Sequence, residues 1–150
     1  SSHLLGEIPK KKANNLIPII ADVILGYSKI LRIYGNNFNT RDGTCERDFV
    51  CVNDIANAHV KALEYSLKNN KCEIINIGSG KNTSVMDIVN VFEEISGRKI
   101  NKVFEKSRKG DVACNYANIK KAENLLSWKV TNGYKHCCNE FLKWKIKNDE

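Results

Sequence analysis

The sequence predicts an α/β fold, a small mixed sheet with helices packed against it. Three observations lead there. Short β-rich runs, Lys29–Tyr34, Arg47–Val52, Glu73–Ile77 and Ile100–Phe104, alternate with longer segments whose apolar residues recur at helical spacing. Several of the helical segments carry their own start and stop residues, and turn residues separate them from the strands. At 150 residues the chain is large enough for one domain with a proper core, burying roughly two-thirds of its unfolded surface.

Taken in order, Asn14-Asn15-Leu16-Ile17-Pro18 reads as a helix start, with Asn as the cap and Pro in the first turn. That helix runs through IIADVIL and stops at Gly26. KILRIY is a short strand that breaks at Gly35-Asn36-Asn37. Asp42-Gly43-Thr44 is a turn signal leading into the β-rich run Arg47–Val52, which closes on Asn53-Asp54 as N-cap of a helix through IANAHVKALEYSLK. Ala56, Val60, Leu63 and Leu67 form one stripe of that helix. Glu73–Ile77 reads as a buried-type strand entering Gly78-Ser79-Gly80. Those glycines do not make a dinucleotide fingerprint, because position 83 is Thr and no second strand with a terminal acidic residue follows at the right distance. They read as a strand-to-helix turn. Ser84 and Asp87 form a capping box for SVMDIVNVFEEIS, with Val85, Ile88, Val89, Phe92 and Ile95 on its apolar face and Gly97 as its stop. After Ile100–Phe104 come a loop, KSRKGDVACNYAN, a short helix at IKKAENLL, Trp128, and an amphipathic helix from Gly133 to Lys147. Phe141 and Trp144 are read as core anchors of that last helix. His3, His59 and His136 do not cluster in sequence, so they support neither a triad nor a metal site.

Composition narrows the function. The formal charge of +7 favours acidic partners: nucleic acid, anionic lipid or a nucleoside diphosphate. The lysines, however, are interleaved with Glu and Asn. Lys10-Lys11-Lys12 is the one run, and no basic-aromatic platform for single strands is present, so nucleic acid is not the expected partner. No stretch approaches the ~18 apolar residues of a membrane span. The first residues lack the basic and apolar regions of a signal peptide, although an upstream targeting segment stays open. The six cysteines form no C-x-x-C pair and have no His at zinc-ligand spacing, so no metal site is expected. Reduced thiols in a cytoplasmic protein are the expectation.

Arg47 carries the chemical argument. A guanidinium at the start of a strand beside a turn can grip a phosphate in two-pronged geometry. The run around it, Thr40-x-Asp42-Gly43-Thr44-x-x-Arg47-Asp48-Phe49-x-x-Val52-x-Asp54, resembles a signature of the UDP-galactose (UDP-glucose) 4-epimerases, members of the extended short-chain dehydrogenase/reductase family. The likeness extends to Asn14-Asn15-Leu16-Ile17-Pro18, to Asn76-Ile77-Gly78-Ser79-Gly80 with Thr83-Ser84-Val85, to Arg108-Lys109-Gly110-Asp111, and to Ala122…Leu126-x-Trp128. These follow the family's order and spacing along essentially the whole chain.

The resemblance implies that residues 1–150 form the C-terminal, substrate-binding domain of a longer enzyme. NAD, its Rossmann domain and the catalytic Ser and Tyr-x-x-x-Lys set are then expected upstream of Ser1, and no residue here is assigned a catalytic role. It further implies that Arg47 and Arg108 clamp a pyrophosphate, that Asn15 binds a phosphate oxygen, and that Leu16 packs near the uracil. Tyr34 would flank the base and Asp111 would hold the ribose hydroxyls. Asn115 would sit beside the sugar, where the family commonly has Tyr or Cys. Cys51 stands where His is usual and Lys109 where Glu or Pro is common. The implied ligands are UDP-glucose and UDP-galactose and, through the room Asn115 leaves, UDP-GlcNAc and UDP-GalNAc. The complete enzyme would be a homodimer. Three rivals stay open at this point: a sister NDP-sugar decarboxylase or dehydratase, a non-catalytic nucleotide-sugar-binding module, and a basic nucleic-acid-binding domain.

Overall fold

The computed structural model describes residues 6–7 and 13–148, so His3 and Lys10-Lys11-Lys12 lie outside the described residues. Five helices and five short strands follow one another as α1 (Leu16–Ile24), β1 (Leu31–Tyr34), β2 (Glu46–Arg47), α2 (Val52–Lys68), β3 (Thr83–Ser84), α3 (Val85–Ser96), β4 (Lys102–Glu105), β5 (Cys114–Asn115), α4 (Lys120–Leu126) and α5 (Tyr134–Asn148). The strands make two sheets. β1 and β4 pair in parallel, and β2 lies between β3, antiparallel, and β5, parallel.

The helix ends follow the local chemistry. α1 starts after Asn15 and carries Pro18 in its first turn, where a missing N–H costs nothing. Ser84 and Asp87 form both bonds of the capping box: Asp87 N donates to Ser84 Oγ at 2.9 Å, and Ser84 N donates to the Asp87 carboxylate at 3.0 Å. Gly97, in the left-handed conformation, ends α3.

Two apolar clusters hold the chain together. In the larger, Ile20 and Ile24 of α1, Leu31 and Ile33 of β1, Ile88 and Phe92 of α3, and Leu142 of α5 meet. In the smaller, Ala58 of α2 meets Ala122 and Leu126 of α4 around Trp128. Trp128 is buried, and its indole N–H donates to Asp54 O at 3.0 Å. Phe141 and Trp144 stack tilted at 5.8 Å, Trp144 buried beneath Gly6 and Phe141 against the larger cluster.

Three expectations need correction. The run after Arg47 is not strand: β2 stops at Arg47, Cys51 is the N-cap, and α2 is already helical at Val52. Asp54 therefore does not cap α2. It lies buried in the first turn and accepts from Asn132 N (2.9 Å), Thr131 N (3.2 Å) and Asn132 Nδ2 (3.1 Å), as well as from the Thr131 hydroxyl. Second, the stripe Ala56–Val60–Leu63–Leu67 faces outward, with Leu67 80% exposed. The helix also carries a stripe of Asp54, Ala58, Ala62 and Tyr65, and this is the one that packs on α4 and Trp128 because it brings the Asp54 ligands with it. Third, Glu73–Ile77 joins no ladder, and Ile74 is 86% exposed. Its extended backbone has no strand beside it among the described residues.

Candidate functional site

Arg47 stands at the junction of three cavities. One, of about 500 Å³, is lined by Leu16, Tyr34, Arg47, Phe49 and Arg108 among others. A second, of about 440 Å³, joins Arg47 to Asn76, Asn115 and Asn118. The third, of about 820 Å³, adds Asn15, Leu16 and the α5 face with Phe141 and Trp144.

Strand register produces these meetings. Tyr34 pairs with Glu105 at the end of the β1–β4 ladder. The chain leaving β4 is thereby returned over Tyr34, and the Arg108 guanidinium lies 4.8 Å above the ring centroid. Cation–π contact of this kind holds a guanidinium flat against the ring. Arg108 also donates to Asp111 at 3.2 Å across a tight turn. In the parallel β2–β5 ladder Arg47 is opposite Asn115, so both side chains leave the same sheet face. Arg47 Nη1 donates to Glu46 O and to Val112 O, each at 2.8 Å. Those two carbonyls anchor the guanidinium by one nitrogen and strap the Arg108–Asn115 loop to β2.

Asn15 and Leu16 arrive from the α1 start. The Asn15 side chain makes no capping bond and donates instead to Glu7 Oε1 at 2.9 Å. Asp111 lines none of the three cavities and joins the cluster through Arg108.

The arrangement is supported by residues that sequence reading passed over. The Asp48 carboxylate accepts from Ser79 N at 2.6 Å, Ala117 N at 3.0 Å and Gly80 N at 3.2 Å. Burial alone would raise its pKa, but the hydrogen bonds from Ser79, Ala117 and Gly80 outweigh burial and hold it below the ordinary value. The Gly78-Ser79-Gly80 turn is thus fixed beneath the Asn115 loop. A Cβ on Gly78 would lie 2.3 Å from Asp48 Oδ2 and 2.7 Å from Ala117 Cβ, so only glycine allows this approach. The Arg-Asp adjacency was the one available signal for Asp48. Asp42 ties the turn before β2 to α3 by accepting from Thr44 N (2.9 Å), Thr44 Oγ1 (2.6 Å) and the Ser84 hydroxyl.

A Tyr-x-x-x-Lys spacing does occur at Tyr116–Lys120 and was also passed over. α4 begins only at Lys120, with Ile119 at its N-cap, so Tyr116 lies in the preceding loop and the pair does not share a helix face. Among the described residues no group of three His, Cys, Asp or Glu could hold a metal ion. Among the same residues no helix is long and apolar enough to cross a membrane. What the site offers is two guanidiniums and an aromatic face on one cavity, with several amides on the two others that Arg47 also lines. This is the chemistry of holding an anion with an attached planar group, since fork-shaped donors match phosphate oxygens and a ring face matches a base.

Known proteins of the same shape and sequence bear on that reading. The rice (Oryza sativa subsp. japonica) UDP-glucose 4-epimerase 1 is 40% identical over 150 residues, a match covering 98% of this chain and 42% of the relative. The Bacillus subtilis (strain 168) UDP-glucose 4-epimerase is 37% identical over 144 residues, covering 96% and 42%. The chain thus spans less than half the length of these curated relatives. Among solved structures, the UDP-glucose 4-epimerase of Stenotrophomonas maltophila, with bound NAD and formylated UDP-arabinopyranose, superposes with a TM-score of 0.95 at 32% identity over 99% of this chain and 44% of that one. The Bifidobacterium longum enzyme, in complex with NAD+ and UDP, gives 0.91 at 35% identity over 99% and 44%. A profile of the NAD dependent epimerase/dehydratase family matches residues 1–78, more than half of the sequence. With motifs, fold and profile in agreement, the chain belongs to the NAD dependent epimerase/dehydratase family.

Proposed function

We propose that this chain is the UDP-sugar-binding half of a UDP-glucose/UDP-galactose 4-epimerase. The observation that carries the reading is the convergence of Arg47 and Arg108, far apart in sequence, with Tyr34 on one cavity. In this reading Arg47 and Arg108 clamp the pyrophosphate. Asn15 binds a phosphate oxygen, and Leu16 and Tyr34 border the uracil. Asp111 holds the ribose hydroxyls, and Asn115 borders the sugar. Binding energy from the nucleotide, remote from the reacting carbon, positions the sugar for chemistry.

NAD and the proton-accepting residues belong to the portion of the complete protein outside this match, so the chain alone turns over no UDP-galactose. The outward Val60, Leu63 and Leu67 of α2 and the unpaired 73–77 backbone support the view that a further layer of the complete protein covers this side. The test is calorimetry with UDP on the complete protein. Arg47→Ala and Arg108→Ala should each weaken binding by about 1.5–3 kcal/mol, the range of a charge-assisted hydrogen bond. Lysine at either position should restore only part of the loss, because the fork is gone. Unchanged affinity in both alanine variants would refute the clamp.

A further inference from the structure

Cys51 and Cys137 come from opposite ends of the chain and meet in the wall of the 820 Å³ cavity. Two local facts bring them together. Cys51 is the N-cap of α2, and its side chain is buried. One helical turn on, the buried Asp54 carboxylate grips the backbone of Thr131 and Asn132, and α5 begins immediately after them. The segment leading into α5 is therefore tied to the first turn of α2. In α5, Cys137 shares a face with Phe141 and Trp144, all lining the cavity, whereas Cys138 points into the main core. The Cys137 thiol donates to Gly133 O at 3.3 Å, and the Cys51 thiol is near enough to disfavour its ionisation. All six cysteines have free sulfurs in this structure, and Cys51 and Cys137 are the two that line this cavity together.

We propose that Cys51 and Cys137 form a redox-active dithiol site that closes to an intramolecular disulfide under a peroxide oxidant. The step balances in two stages. One thiol takes an oxygen from hydrogen peroxide, giving a sulfenic acid and water. The second thiol then attacks that sulfur, the S–S bond forms, and a second water leaves. Overall two thiols lose two protons and two electrons, and one peroxide becomes two waters. Burial, and then the neighbouring Cys51 thiol, push the Cys137 thiol well above its ordinary range. The Cys137 thiolate is therefore scarce at neutral pH, and because closure needs that thiolate the bridge forms slowly. Cys138 is not a competitor, because burial raises its thiol to about 12 and turns it away from the cavity. The closed bridge would pin α5 to the N-cap of α2, beside Arg47 and Asn15 on the same cavity wall.

The test is peptide mapping of the complete protein after hydrogen peroxide, with free thiols alkylated before digestion. The expected result is a Cys51–Cys137 linked peptide pair, lighter by two hydrogen masses and reversed by dithiothreitol, with a higher Tm in the oxidised protein because a long loop is closed. Cys137→Ser should abolish the pair and Cys138→Ser should keep it. A Cys51–Cys138 linkage would overturn the proposal, and so would Cys51 and Cys137 ending as separate sulfinic acids. The mapping uses the unsubstituted protein, so the result stands even where a variant fails to fold. It reads no nucleotide, so it is independent of the proposed substrate.

Discussion

Replacing Asp48 by Asn probes the support beneath the site without changing side-chain volume. The two carboxylate oxygens accept three backbone N–H groups: Oδ1 from Ser79, and Oδ2 from Gly80 and Ala117. An amide has one acceptor oxygen and one NH2 donor. In one orientation the NH2 faces Ser79 N, and in the other it faces both Gly80 N and Ala117 N. The less costly orientation loses one charge-assisted bond and leaves the other two as neutral bonds, a destabilisation of about 2–4 kcal/mol at neutral pH. The pH dependence gives a second check. The folded-state pKa of Asp48 is lowered from 3.8, so its contribution is present above that value and is lost as pH falls through the folded pKa. The stability gap between parent and Asp48→Asn should therefore be constant near neutrality and narrow as pH drops below about 4, where the parent carboxyl gains its own proton. Urea unfolding of both proteins across that range measures it. A gap under about 0.5 kcal/mol at pH 7, within the range of an ordinary surface change, would refute the reasoning.

Two further outcomes concern Asn115 and the turn before β2. If Asn115 borders the sugar, the complete enzyme should interconvert UDP-GlcNAc and UDP-GalNAc. Asn115→Tyr should abolish that activity while holding UDP-galactose turnover within about tenfold, a 1.4 kcal/mol effect on the barrier; equal kcat/KM ratios for the two substrate pairs in parent and variant would refute it. Gly43→Ala should destabilise the protein by about 2–4 kcal/mol in chemical denaturation, because the backbone is left-handed there (φ +81°) and the new Cβ would meet Asn36 O at 2.3 Å. A change under about 1 kcal/mol would show that the turn yields at little cost.

Elements whose determinants lie within one helical turn were legible directly. The capping box of Ser84 and Asp87 with Gly97 delimits α3 as expected, and α1 starts after Asn15 with Pro18 in its first turn, although the Asn15 side chain makes no capping bond. Where the determinant was remote, reading failed. Asp54 looked like a cap because Asp caps helices, yet its ligands are Thr131 and Asn132, in the turn before the last helix. α2 carries two apolar stripes, and a pattern of side chains cannot say which of them a distant Trp128 will cover. Glu73–Ile77 has the composition of a buried strand, but a strand is defined by a neighbour, and none lies beside it among the described residues.

The candidate site divides along the same line. The resemblance to the 4-epimerases singles out Arg47, Arg108, Tyr34 and Asn15 as groups expected at a nucleotide diphosphate, and their fork geometry, permanent charge and aromatic face are properties of the side chains themselves. Their convergence is a property of register. Tyr34 opposite Glu105 sets Arg108 above the ring, and Arg47 opposite Asn115 brings the amide beside the guanidinium. The shared cavity wall of Cys51 and Cys137 depends in the same way on Asp54 holding Thr131 and Asn132, just ahead of α5. Side-chain chemistry and backbone preference act over a few residues and are written locally. Register and docking are settled by the simultaneous packing of segments remote along the chain, and they exist only once the tertiary structure has formed.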